Sequence, residues 1–377
     1  MRASSRRRNI GVLCLAIVVW TPVYGQISRP PRLLEEELRI RAEGPSYLIS
    51  HVAGLEVTAA GEVVVLAPAE RSLLVFDSAG SYRNRIGRPG EGPGELSQPV
   101  FVGTRADSVW VGDATQRRIT VFGPKGNVVR TIVVPSGGAP ALLPSGDVLV
   151  VPTFALSVVG REVQFKVERL GAVSGQRAIL LDVPVLPRTF NVDLGTVRWQ
   201  ARQPFDDMQI INASTDGSAV LYVDARSTRA PREGFRVWKI NTEGQTVFDV
   251  SYPYPRRPFP LALVEAHVTE TAARVRRRMP DIPDATLRGQ LREALYVPQY
   301  APTVTRVLGA QDGTTWLRRE DAGSGPVRWT VLDRAGRIAY EVQLPAGANV
   351  LWARGAVVYA AVTNDDDIPD IVRYRLK

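Results

Sequence analysis

Six copies of one short module constrain this chain more than any other feature in it. Each copy runs strand, tight turn, strand, loop, strand and Gly-ended turn. The second copy shows the pattern best, as Asp107-Ser-Val-Trp-Val-Gly-Asp113, Arg118-Ile-Thr-Val-Phe122 and Gly123-Pro-Lys-Gly126. A unit this short cannot bury its own apolar face, so the copies must stack, and β units of this length stack as blades in a ring. The turn after the first strand reads Ala60-Gly61, Ser145-Gly146, Asp216-Gly217, Asp312-Gly313 or Arg354-Gly355, with Ala106-Asp107 in the second copy. The turn after the third strand ends in Gly80, Gly126, Gly244 or Gly336, and Gly175 takes that role in the third copy. Tight hairpins need positive φ, which glycine adopts without steric cost. Runs such as Val63-Val-Val-Leu66, Val148-Leu-Val-Val151 and Val220-Leu-Tyr-Val223 are β-branched and too short for helices. They are expected to be second strands, buried between neighbouring blades.

The copies span Val52–Gly92, Pro99–Pro135, Ala139–Val183, Met208–Tyr252, Thr303–Leu344 and Val350–Leu376. The last copy ends after its third strand, while Glu37-Leu-Arg-Ile-Arg-Ala42 is a strand with no copy of its own. Pairing the two completes six four-stranded blades and hides the free sheet edges. The expected fold is therefore all-β, a six-bladed β-propeller with an N-terminal strand closing the last blade. A helical insertion is expected between blades 4 and 5, at about 258–298, because Leu261, Val264, Val268, Ala272, Val275 and Met279 recur at helical spacing after Pro260. Leu287, Leu291 and Leu295 predict a second, shorter helix.

Ahead of the repeats, Arg6-Arg7-Arg8 and the apolar run Ile10–Trp20 read as a signal peptide over residues 1–25, with the mature domain at 26–377. The run is shorter than the roughly 20 residues a helix needs to span a bilayer, so no transmembrane helix is expected in the mature chain. The expected location is periplasmic or extracellular. Cys14 is the only cysteine, so the mature domain holds no disulfide, thiolate metal site or cysteine nucleophile. Removing Arg2, Arg6, Arg7 and Arg8 from 47 basic residues leaves 43 against 38 acidic ones, a net charge of +5. Outside Arg274-Val-Arg-Arg-Arg278 there is no basic run, which argues against nucleic acid as a partner.

The segment Gly87-Arg-Pro-Gly-Glu-Gly-Pro-Gly-Glu-Leu96, with Pro99, Val109–Asp113, Arg118–Phe122 and Gly126, resembles an NHL repeat. Gln116 stands where that family has Asn, and Gly123 where it has Asp. Leu73-Leu-Val-Phe-Asp77 of the first copy matches in part, and the other copies match in turns and strand spacing alone. As a whole the chain is similar to exported bacterial six-bladed propellers related to NHL proteins, a group largely without assigned activity.

Strand direction puts the long connections Gly87–Gln98, Pro184–Asp207 and Pro253–Pro302 on one face and the tight Gly turns on the other. Long loops on a rigid scaffold are where binding usually resides. The expected role is thus non-catalytic recognition of a protein, peptide or small ligand on the loop-rich face. Candidate ligand-binding residues are Arg88, Glu91 and Glu95 of the Gly-rich connection, Asp113 and Arg118 at the ends of adjacent strands, and Arg274 and Arg278 of the insertion. Asp113 and Arg118 are expected to form a framework ion pair. The insertion is expected to pack on the blade rims, or else to cover the channel mouth.

The Gly-rich stretch lacks a following Lys-Ser/Thr and precedes a strand, so it is no phosphate loop. Asp365, Asp367 and Asp370 are weak candidates for Ca²⁺, because their loop lacks the alternation of calcium-binding loops. No cofactor is otherwise expected. The alternative is a Ca²⁺-dependent hydrolase or lactonase of the central channel. Lactonases on six-bladed propellers hold the ion with Glu, Asn and Asp on inner strands; the sequence shows no complete set of that kind, with Glu56, Asn212 and Asn349 as its possible contributors. His51 and His267 are the only histidines, too few for the three-histidine metal site of NHL-type amidating lyases.

Overall fold

The structure is a computed structural model that describes residues 30–135, 138–152, 162–193, 198–206, 209–224, 234–319 and 325–377. The expected signal segment lies outside the described residues. Six antiparallel four-stranded sheets surround a central axis. From axis to rim, blade 1 is Gly54–Val57, Val63–Ala67, Ser72–Phe76 and Tyr82–Ile86. Blade 2 is Pro99–Arg105, Ser108–Asp113, Arg118–Phe122 and Val128–Val133, and blade 3 is Ala139–Leu142, Val148–Val151, Val163–Leu170 and Arg177–Val185. Ile210–Ala213, Ala219–Asp224, Gly234–Asn241 and Thr246–Pro253 make blade 4. Blade 5 is Val304–Gly309, Thr315–Arg319, Val327–Leu332 and Ile338–Leu344.

Blade 6 takes three strands from the end of the chain, Asn349–Arg354, Val357–Thr363 and Pro369–Leu376, and its outer strand, Leu34–Ile40, from the beginning. The register runs antiparallel from Leu34 opposite Leu376 to Ile40 opposite Ile371, with a bulge between Glu36 and Leu38. Ile40 is 2% exposed and joins Val52, Phe76, Trp352 and Ile371 in a cluster shared by blades 6 and 1. Burying an aliphatic side chain of this size contributes roughly 1.5–3 kcal/mol. Asp370 pins the same junction. It is buried, accepts the Ala42 N–H at 2.8 Å and Asn364 Nδ2 at 3.2 Å, and pairs with Arg39 at 3.1 Å.

The core lies between blades, one cluster passing through blades 2, 3 and 4 and others joining blades 4–5, 5–6, 6–1 and 1–2. The second strands are its floor: every residue of Val63–Ala67 and of Val148–Val151 is buried. Neighbouring blades approach closely at Gly112, where a Cβ would sit 1.8 Å from the Pro140 carbonyl oxygen of blade 3. In the second copy, where the first turn has no glycine, Ala106 itself takes φ +50.

The insertion forms α1 (Leu261–Arg278) and α2 (Asp284–Ala294) between blades 4 and 5. It does not simply rest on the blade rims. The blade 3–4 connection, expected as a loop, contains a hairpin of Thr189–Asp193 and Arg198–Arg202. Val264, Val268, Ala272, Leu287, Leu291 and Leu295 of the insertion pack against Phe190 and Val192 of that hairpin as a separate small core. Gln203 ties the two together, donating to the Ala294 carbonyl at 2.9 Å and accepting the Tyr296 N–H at 2.8 Å. An amphipathic helix pair needs an apolar partner, and the hairpin's alternating Phe190 and Val192 supply one. The sequence reading also omitted a small hairpin, Glu43–Gly44 with Tyr47–Leu48, whose Tyr47 ring lies 5.1 Å from Phe76 and 5.0 Å from Tyr82.

Candidate functional site

The Gly-rich connection between blades 1 and 2 holds most of the residues that the sequence singled out, and its polar groups are turned inward. Asp113 and Arg118 sit opposite one another in register, but they do not form the expected ion pair. Asp113 is 1% exposed and accepts three backbone N–H groups, from Ser97 at 2.7 Å, Gln98 at 3.0 Å and Gln116 at 2.9 Å. Arg118 donates to the carbonyls of Glu91 at 3.2 Å, Gly92 at 2.6 Å and Glu95 at 2.9 Å. A crossing this tight leaves main-chain groups without partners, and the two side chains satisfy opposite kinds of them. The Glu95 carboxylate accepts the Gly92 N–H at 2.8 Å and pairs with Arg88 at 2.9 Å. Those two contacts, the backbone one first, hold its pKa below the ordinary value. Gly90 adopts φ +146, and a Cβ there would collide with the Glu95 carboxylate. Arg88 is exposed and paired, and Glu91 is exposed with its carbonyl accepting from Arg118.

The other sequence candidates lie apart from this crossing and from each other. Arg274 lies exposed on α1, 3.9 Å from Glu270 and 3.3 Å from Thr271 Oγ1. Arg278 ends α1, and its side chain lies outside the described residues. Asp365 and Asp367 sit in an exposed turn built around Asn364, and Asp370 is the buried closure residue described above. Among the described residues, no group of three or more His, Cys, Asp or Glu side chains is arranged to hold a metal ion. His267 lies on α1 with its ring 5.4 Å from Phe205, and burial lowers its pKa, while His51 is exposed before blade 1.

A cavity of about 300 Å³ occupies the propeller axis and is lined by the inner strands of all six blades. Its walls are mainly apolar, with Leu55, Phe101, Leu142, Ile211, Val307 and Leu351 prominent. Two ionisable side chains line it, Glu56 and Arg306. Glu56 is 2% exposed, and burial holds its pKa well above the carboxylate range. Gln311 Nε2 donates to Glu56 Oε2 at 3.0 Å; Trp352 draws the pKa partly back, although its indole N–H makes no well-formed hydrogen bond. Asn212 donates to the Val307 carbonyl at 3.1 Å, and Asn349 accepts from Arg318 at 3.2 Å, so the three inner-strand candidates are each engaged separately.

At the loop-rich end a second cavity of about 290 Å³ lies beneath the start of α1, next to the axial one, and the two share Ile210 and Thr305 in their walls. Phe205, Phe259, Pro260 and Leu263 line this second space. Phe205 and Phe259 pack edge to face at 5.1 Å. Its one carboxylate, Asp206, is bound by Arg188 at 2.8 Å. The insertion thus borders the channel mouth with the start of α1, while Arg274 lies 11 residues beyond Leu263 along the helix, roughly 16 Å at 1.5 Å per residue. Sequence reasoning missed Thr305 and Arg306. The available signal was the polar pair Thr305-Arg306 set among apolar residues of the inner strand Val304–Gly309.

Residues 45–140, which cover blades 1 and 2 and enter blade 3, match DUF5128, a 6-bladed beta-propeller family. Three solved structures are similar over nearly the whole chain. A member of the DUF4221 family from Bacteroides vulgatus is 10% identical with a TM-score of 0.52, covering 92% of this chain and 99% of its own. A Bacteroides fragilis protein inferred to be exported is 12% identical, TM-score 0.49, covering 91% and 95%. A catalytically inactive virginiamycin B lyase of Staphylococcus aureus, with quinupristin, is 12% identical, TM-score 0.44, covering 92% and 99%. Likeness at these identities shows the fold alone. No curated protein matches the chain in sequence.

Proposed function

We propose that this protein is an exported, non-catalytic binding propeller that recognises a small ligand or the end of a peptide at the channel mouth on its loop-rich face. One observation carries the reading: the axial cavity and the space under the insertion are neighbours there, with Ile210 and Thr305 in the walls of both. Each is at the lower end of the size range of small-molecule sites, and the pair combines apolar walls with a few polar groups. The exposed Leu261 and Leu263 at the start of α1 add apolar surface at the same rim. A Ca²⁺-dependent hydrolase would need an ionised carboxylate on the inner strands. Glu56 is the acid of that cavity, and burial favours its neutral form, which supports binding over hydrolysis.

Capture from the native envelope fraction tests the reading when two altered faces are compared. Leu263→Glu at the mouth should abolish retention of the bound species, whereas Lys125→Glu in a turn of the opposite face should leave it intact. Equal retention by both variants would place recognition elsewhere. Export predicts that the protein recovered from the envelope begins at Gln26; recovery with Met1 in place would refute it.

A further inference from the structure

From the unpartnered groups at the mouth we infer that the ligand is a small amphipathic carboxylate, with its acid group at Arg306 and its apolar body against Phe205, Phe259 and Leu263. The inference rests on the mouth being a binding site and adds the chemistry of what it takes. Arg306 lines the axial cavity and, among the described residues, has no carboxylate or hydrogen-bond partner. The charge that acts on it is that of Arg318, its register partner on the adjacent strand. Burial and then Arg318 both lower the Arg306 pKa. A guanidinium nonetheless remains charged at any physiological pH. Its side chain is still accessible, so the charge faces the cavity and is not sealed away.

The neighbouring groups repeat the pattern. Arg318 spends one terminal nitrogen on Asn349, while its Nε is buried without a partner. Thr305 Oγ1, in the wall shared by both cavities, is also buried without one. Native proteins rarely leave buried donors unmet, and enclosed like charges repel. An anion beside Arg306, the accessible cation of the cavity wall, would offset the repulsion it meets from Arg318. A carboxylate matches the planar fork of a guanidinium, and the aromatic space alongside is lined by carbon. Hence the acid and the apolar body belong to one molecule.

Calorimetric titration of the purified protein with phenylbutyrate, and with phenylbutanol as its uncharged counterpart, tests this. The expected result is one-site binding of the acid at least about tenfold tighter than the alcohol. Arg306→Met should erase that preference while leaving the weak alcohol binding in place, and Arg306→Lys, which keeps charge without the fork, should retain part of it. Phe259→Ala should weaken both ligands together. Equal affinity for acid and alcohol, or unchanged acid binding by Arg306→Met, would overturn the carboxylate assignment and leave binding at the mouth standing. Absence of saturable binding by either compound would overturn both.

Discussion

The crossing from blade 1 to blade 2 and the mouth beside blade 5 lie on the same face and treat their charges in opposite ways. At the crossing, Asp113 takes three backbone N–H groups, Arg118 reaches three carbonyls, and Glu95 holds a backbone N–H and Arg88. At the mouth, Arg306 has no partner among the described residues and Thr305 Oγ1 is buried without one. The charged ends of the first set hold an irregular backbone, although Arg118 Nε and Gln116 Oε1 are buried without a partner there too; at the mouth the whole Arg306 guanidinium is left without one. Charge density in the sequence is therefore a poor guide to which charged groups keep bonding capacity in the fold.

The largest expected effect would sharpen this contrast from the framework side. Gly112→Ala puts a methyl group on the Pro140 carbonyl, and blades 2 and 3 must separate to admit it. A loss of at least ~3 kcal/mol is expected in urea unfolding, because the obstacle is backbone and cannot rotate away. Asp113→Ala follows. It strands the N–H groups of Ser97, Gln98 and Gln116, and about 3 kcal/mol should be lost in the same measurement. If that variant instead unfolds like the parent, the crossing is not framework and the comparison fails.

Glu56 gives a smaller, pH-dependent effect at the axis. Its folded pKa is raised by burial above the ordinary 4.5, so folding favours the protonated form. That stability is fully present below the unfolded pKa and is lost as pH rises toward the folded one. Glu56→Gln keeps an acceptor for Gln311 without the titration, so the variant should gain on the parent steadily between about pH 5 and pH 8 in thermal melts. A gap between the two that stays constant across that interval would mean Glu56 ionises freely in the fold.

The architecture was almost wholly legible in the sequence because each of its causes is local or nearly so. Glycines that set the turns, β-branched runs that fill the inter-blade core, and an unclaimed strand at Glu37–Ala42 together specify six blades and their closure. The hairpin at Thr189–Arg202 was not legible, since its strands pack on a helix pair some 70 residues away and carry no turn signature of the repeat. The candidate site was harder still. Asp113, Arg118 and Glu95 stand out in a motif, yet their partners are main-chain atoms, which no residue pattern displays. Arg306 sits in a short strand among Val304, Val307 and Leu308, and its isolation follows from which residues fail to surround it. That is a property of three-dimensional neighbours, visible only once the ring is closed.

Arg306→Met gives the smallest expected change in stability and the most direct test. The account predicts that urea unfolding of this variant matches the parent or exceeds it by up to about 1 kcal/mol, because a like charge beside Arg318 has been removed and no partner is lost. A loss of about 2 kcal/mol or more, near that expected for Asp113→Ala, would show that Arg306 is tied into the framework and would contradict the assignment of the mouth as the recognition site.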